Sequence, residues 1–231
     1  GYIQGQSLFY RNNIAWWKSQ VNSLIGLLDD PTAFVARKFN VIDEGVRMGA
    51  ISSPTEFLFA RQGIGSIPTK IPLIGPAVRG FNRAFEWFII SGQTYLYEAA
   101  RSPILRKTPE GEASIKALSS LGSAIRKELG TESYAILGVR PTQRTYEALA
   151  AFAARFFRAN VGLLAQSLTR GPGGAEARKA VGALFAGGTS LTIGINWAVT
   201  GKLPNITDPF APDWMQFPIG KSYFNAFGPF Y

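Results

Sequence analysis

The chain has 231 residues, with 24 Lys and Arg against 15 Asp and Glu, a formal net charge of +9 and a mean hydropathy of +0.06. It contains neither cysteine nor histidine, which excludes a disulfide framework, thiolate catalysis and zinc knuckles and removes the usual general base at neutral pH. Only 17% of residues are charged while 46% are hydrophobic, against roughly a quarter charged in ordinary globular proteins, so much of the surface is expected to meet membrane or neighbouring subunits. A basic balance favours anionic partners, nucleic acid or lipid headgroups. The excess is spread out, however, with no basic run longer than two residues, which also fits a generally basic solvated surface.

The first helical pattern covers about Leu8 to Leu28, with Ile14, Trp17, Val21, Leu24 and Leu28 at helical spacing. Asp29-Asp30-Pro31 ends it and starts a second helix, which runs to about Met48 and carries Phe34, Val35, Phe39, Ile42 and Val46. Together these predict an N-terminal helical hairpin over residues 1–50. Residues 51–76 are punctuated by Pro54, Gly63, Gly65, Pro68, Pro72, Gly75 and Pro76 between apolar residues, which predicts an ordered apolar loop packed on something else. Gly63-x-Gly65 lacks the third glycine and the strand–helix setting of a dinucleotide loop.

A helical bundle is expected over 77–202. Its first helix, about Ala77 to Ala100, carries Val78, Phe81, Phe85, Phe88, Gly92 and Tyr95 on one stripe. Trp87, Ile89, Ile90 and Leu96 widen that stripe until the helix must be buried or lipid-facing. Thr108-Pro109-Glu110 starts an amphipathic helix through Ile115, Leu118, Leu121, Ile125 and Leu129, with Gly130 as its cap. Pro141 precedes a helix from about Thr142 to Thr169, and the break Arg170-Gly171-Pro172-Gly173-Gly174 leads to a last one, about Ala175 to Thr200. Five prolines after Leu203 forbid a long helix over 203–231, leaving an irregular aromatic tail or a small hairpin around Gly220-Lys221. The fold class is mainly α: an elongated multi-helix assembly with Pro/Gly-rich loops and a small irregular or β-hairpin C-terminal tail. The chain opens on Gly1 and stops in an aromatic string at Tyr231, from which a piece of a longer polypeptide is expected.

Two features point outward. Ala180 to Gly201 is a stretch of 22 residues without a charge, bracketed by Arg178-Lys179 and Lys202, and about 20 apolar residues suffice to cross a bilayer. Ala183, Gly187, Ser190, Gly194 and Trp197 share one stripe of it. Small residues four apart allow close helix approach, and Trp197 suits an interface. Thr189, Ser190, Thr192 and Asn196 lower its hydrophobicity, so a core or subunit-contact helix competes with one that inserts in lipid. In the preceding helix Arg144, Arg155 and Arg158 fall on one side, whole turns apart. With Arg178 and Lys179 they form a candidate contact for an anionic partner, DNA backbone or lipid, although Glu147 on the same side weakens it. Trp16-Trp17 beside Arg11 and Lys18 reads either as core packing or as an interfacial anchor. No catalytic residue, cofactor site or metal site is expected, and Ser and Lys are nowhere positioned as a dyad.

The order of segments carries a resemblance. The stretch Ile67-Pro68-Thr69-Lys70-Ile71-Pro72-Leu73-Ile74-Gly75 leads into an aromatic helix. Phe152 to Arg158 follows, then a glycine-rich helix ending Asn196-Trp197-Ala198, then Asp208-Pro209-Phe210 and Asp213 through Ile219-Gly220. This resembles the C-terminal region of large phage internal virion, or polyvalent, proteins, over residues 60–231. The resemblance implies a virion protein ejected with the genome, one that oligomerises with sister copies and other virion proteins. It also implies movement from the virion interior to the host cell envelope to help form a genome-delivery conduit, with host membrane and DNA as further partners. An integral channel or transporter fragment and a capsid or connector module without a membrane role are the alternatives that the residues alone leave open.

Overall fold

A computed structural model describes residues 5–52, 75–131, 154–208, 210–219 and 222–225. The described residues are mainly α-helical: seven helices and one two-stranded hairpin. The expected loop over 51–76 falls almost wholly outside them, as do Arg144, the start of the helix expected from Thr142, and the last residues of the tail.

The first expected helix is two. Helix α1 (Gln6–Arg11) ends where Asn12 leaves helical geometry at φ −149°. The Asn12 side chain then accepts a hydrogen bond from Ala15 N at 3.0 Å and caps α2 (Asn13–Leu28). Pro31 opens α3 (Thr32–Arg47). Helix α4 (Gly75–Lys107) runs 33 residues, past the expected end and through Pro103. Helix α5 (Glu112–Glu128) starts behind Gly111, at φ +113°, rather than at Thr108. At its far end Gly130 adopts φ +67°, donating to Lys127 O at 3.0 Å while Thr131 N donates to Arg126 O at 2.8 Å. That pair of bonds satisfies carbonyls the helix would leave bare. Helix α6 (Ala154–Ser167) is the described part of the arginine-bearing helix, and α7 (Pro172–Thr200) closes at Gly201.

The middle of α4 organises the molecule. Residues 88–94 are buried without interruption, and Leu96 and Tyr97 follow, so every face of two helical turns is covered. Of the two fates open to so apolar a helix, burial in the chain's own core is the observed one. The cover comes from Leu8 of α1, Ala15 of α2, Val41 of α3, Ile51, and Leu118, Leu121, Ile125 and Leu129 of α5. Helices α2 and α3 both lean principally on α4. A second, smaller cluster of Ala124, Leu163, Ala177 and Ala180 joins α5, α6 and α7.

Helix α2 packs by its small side. Ala15, Ser19, Asn22 and Gly26 are buried, whereas the apolar stripe of Ile14, Trp17, Val21, Leu24 and Leu28 faces out. The reason is distance. A β-carbon at Gly26 would stand 2.8 Å from Trp87 Cδ1 and 3.3 Å from Ala84 Cα, and one at Gly92 3.1 Å from Leu8 Cδ2. Arg83 locks this arrangement by donating from Nε to Gly26 O at 2.6 Å and from Nη2 to Leu27 O at 2.9 Å, filling carbonyls at the end of α2. Helix α3 is held by Lys38 on Glu98 at 2.7 Å and by an Arg101–Glu44 ion pair, with Tyr97 Oη donating to Glu44 Oε1 at 3.1 Å. Burial beside Glu44 raises the Tyr97 phenol far above its usual range, so it stays a donor.

The tail forms strands β1 (Gln216–Ile219) and β2 (Ser222–Asn225), antiparallel with Gln216 opposite Asn225 and Ile219 opposite Ser222. Asn196 Nδ2 donates to Gln216 O at 3.0 Å and fastens the hairpin to α7.

Inside the core one side chain joins three segments. Gln93, fully buried, accepts from Ser52 N at 2.8 Å and donates to Ser52 Oγ at 3.2 Å and Thr131 Oγ1 at 2.6 Å. Replacing it by Leu strands a buried backbone donor and a hydroxyl, at about 1–3 kcal/mol each. Gln93→Leu is therefore expected to lower unfolding stability by at least about 2 kcal/mol in urea titration while leaving helix content unchanged.

Candidate interaction surface

Helix α7 is positioned by α1. Arg11, at the end of α1, donates to Glu128 Oε2 of α5 at 2.9 Å and pairs with Glu176 of α7. Lys179 reaches the other oxygen of Glu176 at 3.5 Å from a largely exposed position. One short helix thus clips two long ones together through a single guanidinium. Glu128 is entirely enclosed, and its Oε1 and the Ser7 hydroxyl are both buried without a normal hydrogen bond. Burial pushes the Glu128 carboxyl up to about 7; Arg11 opposes the shift and the Glu176 charge adds to it.

Beneath that clip runs the stripe singled out in the sequence. Ala183 is half-buried. Gly187 lies directly under the Tyr10 ring, where a β-carbon would overlap the ring atoms, so its small size serves a contact inside this chain. From there the stripe emerges. Ser190 and Gly194 are exposed, with nothing within 4 Å of a β-carbon at Gly194, and Trp197 is 65% exposed. Phe185, Val199 and Leu203 add further exposed apolar surface. The opposite side of the helix stays occupied, with Leu184, Gly188 and Thr192 buried. Beside the open stripe an open cleft of about 590 Å³ is lined by Asn196, Lys202, Asn205, Asp213 and Gln216. Among the described residues no helix is long and apolar enough to cross a membrane.

Of the five basic residues expected to meet an anionic partner, the side chains of Arg158, Arg178 and Lys179 are described. Arg144 lies outside the described residues, and of Arg155 only the backbone in α6 is described. Arg158 is half-buried. Arg178 donates from Nη1 to Ser167 O and Thr169 O, both at 2.8 Å, which turns it toward the end of α6. Lys179 is exposed but shares Glu176. Trp16 packs on the core and Trp17 is 61% exposed, their rings 4.8 Å apart and nearly perpendicular.

Among the described residues, a further outward apolar surface is the α2 stripe, with Ile14 64%, Trp17 61%, Val21 55%, Leu24 63% and Leu28 86% exposed. Its residues were legible in the sequence by their spacing. What could have betrayed their direction is the facing row Ala15, Ser19, Asn22, Gly26, small enough to admit another helix.

The chain was compared with protein-family models, curated proteins and solved structures, and none of the three comparisons gave a match.

Because the native state holds a proton on Glu128 that the unfolded chain releases near its usual value of 4.5, its contribution to stability is complete below about 4.5 and is lost as pH rises through about 7. Wild-type melting temperature is expected to fall between about pH 5 and 8 more steeply than that of Glu128→Gln, measured by circular dichroism. Parallel profiles for the two proteins would refute the assignment.

Proposed function

We propose that this chain is a structural virion protein of the phage internal, ejected type, acting as packed copies that help build a conduit through the host envelope. Its proposed course begins in the virion interior and ends at that envelope. The order of motifs from residue 67 to residue 220 supports the family, and the physical surface supports the mode of action. The carrying observation is the emergence of the α7 stripe: past Gly187, the uncharged helix presents Ser190, Gly194 and Trp197 to the outside. Large apolar groups left bare around glycine and serine are suited to close helix contact with a neighbouring copy and to an indole at a headgroup layer.

This mode also explains why the segment is only mildly hydrophobic. A protein stored in a particle and reassembled elsewhere needs helices that pack against protein first and meet lipid second. Thr192 is buried in the fold and Asn196 holds the hairpin, while Ser190, Gly194 and Trp197 of the same helix face out. The absence of cysteine keeps such copies from crosslinking in an oxidising periplasm.

Vesicle flotation tests the reading. The purified chain is expected to float with vesicles containing anionic lipid, and Trp197→Ser to bind about tenfold more weakly, equivalent to ~1.4 kcal/mol, with unchanged circular dichroism. A protein that remains monomeric at all concentrations and also ignores vesicles would sink the proposal.

A further inference from the structure

We propose that the outward seam of α2 is where two copies of this chain pair, helix against helix, antiparallel about a two-fold axis at Val21. This rests on the reading of the chain as a subunit of a multi-copy assembly, and it names one contact within it.

The spacing is the first argument. Ile14, Trp17, Val21, Leu24 and Leu28 advance by three, four, three and four residues, the a and d positions of a coiled-coil seam. All five are more than half exposed, and Ile25 beside them is 44% exposed. The helix cannot rotate them inward, since its small face is seated on α4 and its end is tied by Arg83. Six such side chains present on the order of several hundred Å², approaching the ~800 Å² per partner of a standard interface and beyond the few hundred Å² that single chains usually leave bare.

Charge selects the occupant. From Asn13 to Leu28 the only charged residue is Lys18, and Asp29 and Asp30 follow at once. Helices that lie on anionic lipid carry basic residues along their rim; here two acids close the seam instead. A strongly charged protein partner would find nothing to pair with along it. A second copy of the same neutral seam does fit, and charge also sets its direction. Antiparallel pairing about Val21 brings Ile14 opposite Leu28, Trp17 opposite Ile25 and Leu24 opposite the aliphatic stem of Lys18, whose ammonium lies 5.7 Å from the Tyr95 ring centroid. Each Asp29-Asp30 then lies beside the N-terminal end of the partner's α2, where the helix dipole favours negative charge. Parallel pairing would instead set the two acidic pairs against each other. The antiparallel contact is isologous, so it closes at two copies and leaves the α7 stripes free for others.

Sedimentation equilibrium of the full chain in detergent-free buffer should give a dimer, and Val21→Glu/Leu24→Glu a monomer with the same circular dichroism spectrum. Because the chain has no cysteine, direction can be read by single introductions. Val21→Cys should crosslink to itself on mild oxidation, and a mixture of Ile14→Cys with Leu28→Cys should crosslink at least about tenfold more than either alone. Self-crosslinking of Leu28→Cys without that of Val21→Cys would overturn the pairing, as would a wild-type monomer, including one that binds vesicles through α2. If Trp197→Ser dissolves the oligomer and the α2 variants do not, the α2 contact falls while the assembly reading stands.

Discussion

Everything else in this fold depends on the mid-section of α4 being buried on all sides. A helix that is apolar around its circumference must be wrapped, and here five segments do the wrapping. Wrapping is possible only where backbones come close, so the covering helices present their small residues. Gly26 and Ser19 of α2 meet Trp87 and the Gly92 region; Gly45 of α3 meets Ile51 and Tyr97. That requirement outranks the burial of bulk. Turning the α2 stripe inward would bury more carbon but would hold the two helices apart by the width of Trp and Leu side chains, opening voids along α4 that dense packing does not tolerate.

Part of the basic character of the chain is used inside it. Arg83 and Arg178 each fill carbonyls at the end of another helix, Arg101 and Lys38 seat α3, and Arg11 joins three helices. A guanidinium offers several donors in a fixed plane, so one residue can satisfy two acceptors from different segments. Net charge alone would assign these groups to an external anion. Their geometry assigns several of them to the fold. The Arg11 clip encloses Glu128 completely, and because that burial is what raises its carboxyl, the protonation of Glu128 is tied to the docking of α1 and α7.

With polar groups drawn inward and bulky apolar groups left outside on α2 and α7, the molecule inverts the usual division of labour between core and surface in two places. Both places are helical, nearly uncharged and on different helices. In the proposed assembly, one neighbour is held through α2 and another through α7, the minimum needed for a closed or extended array.

Sequence by itself determined that the chain is mainly helical, and some helix limits, because periodicity, Pro31 and Gly130 act locally; the break at Asn12, the run through Pro103 and the start behind Gly111 were not read from it. It also named the residues of both outward stripes. It did not reveal which way α2 turns, that Gly187 is spent on Tyr10, that Arg178 bends back to α6, or that Arg11, Glu128 and Glu176 meet across 165 residues of chain. Those outcomes were decided only in the tertiary structure, since each depends on how near two backbones can approach and on which distant carbonyl or carboxylate then comes within reach. Hydrophobic spacing records that a helix has a bulky face. Only the neighbour it packs against decides whether that face is hidden.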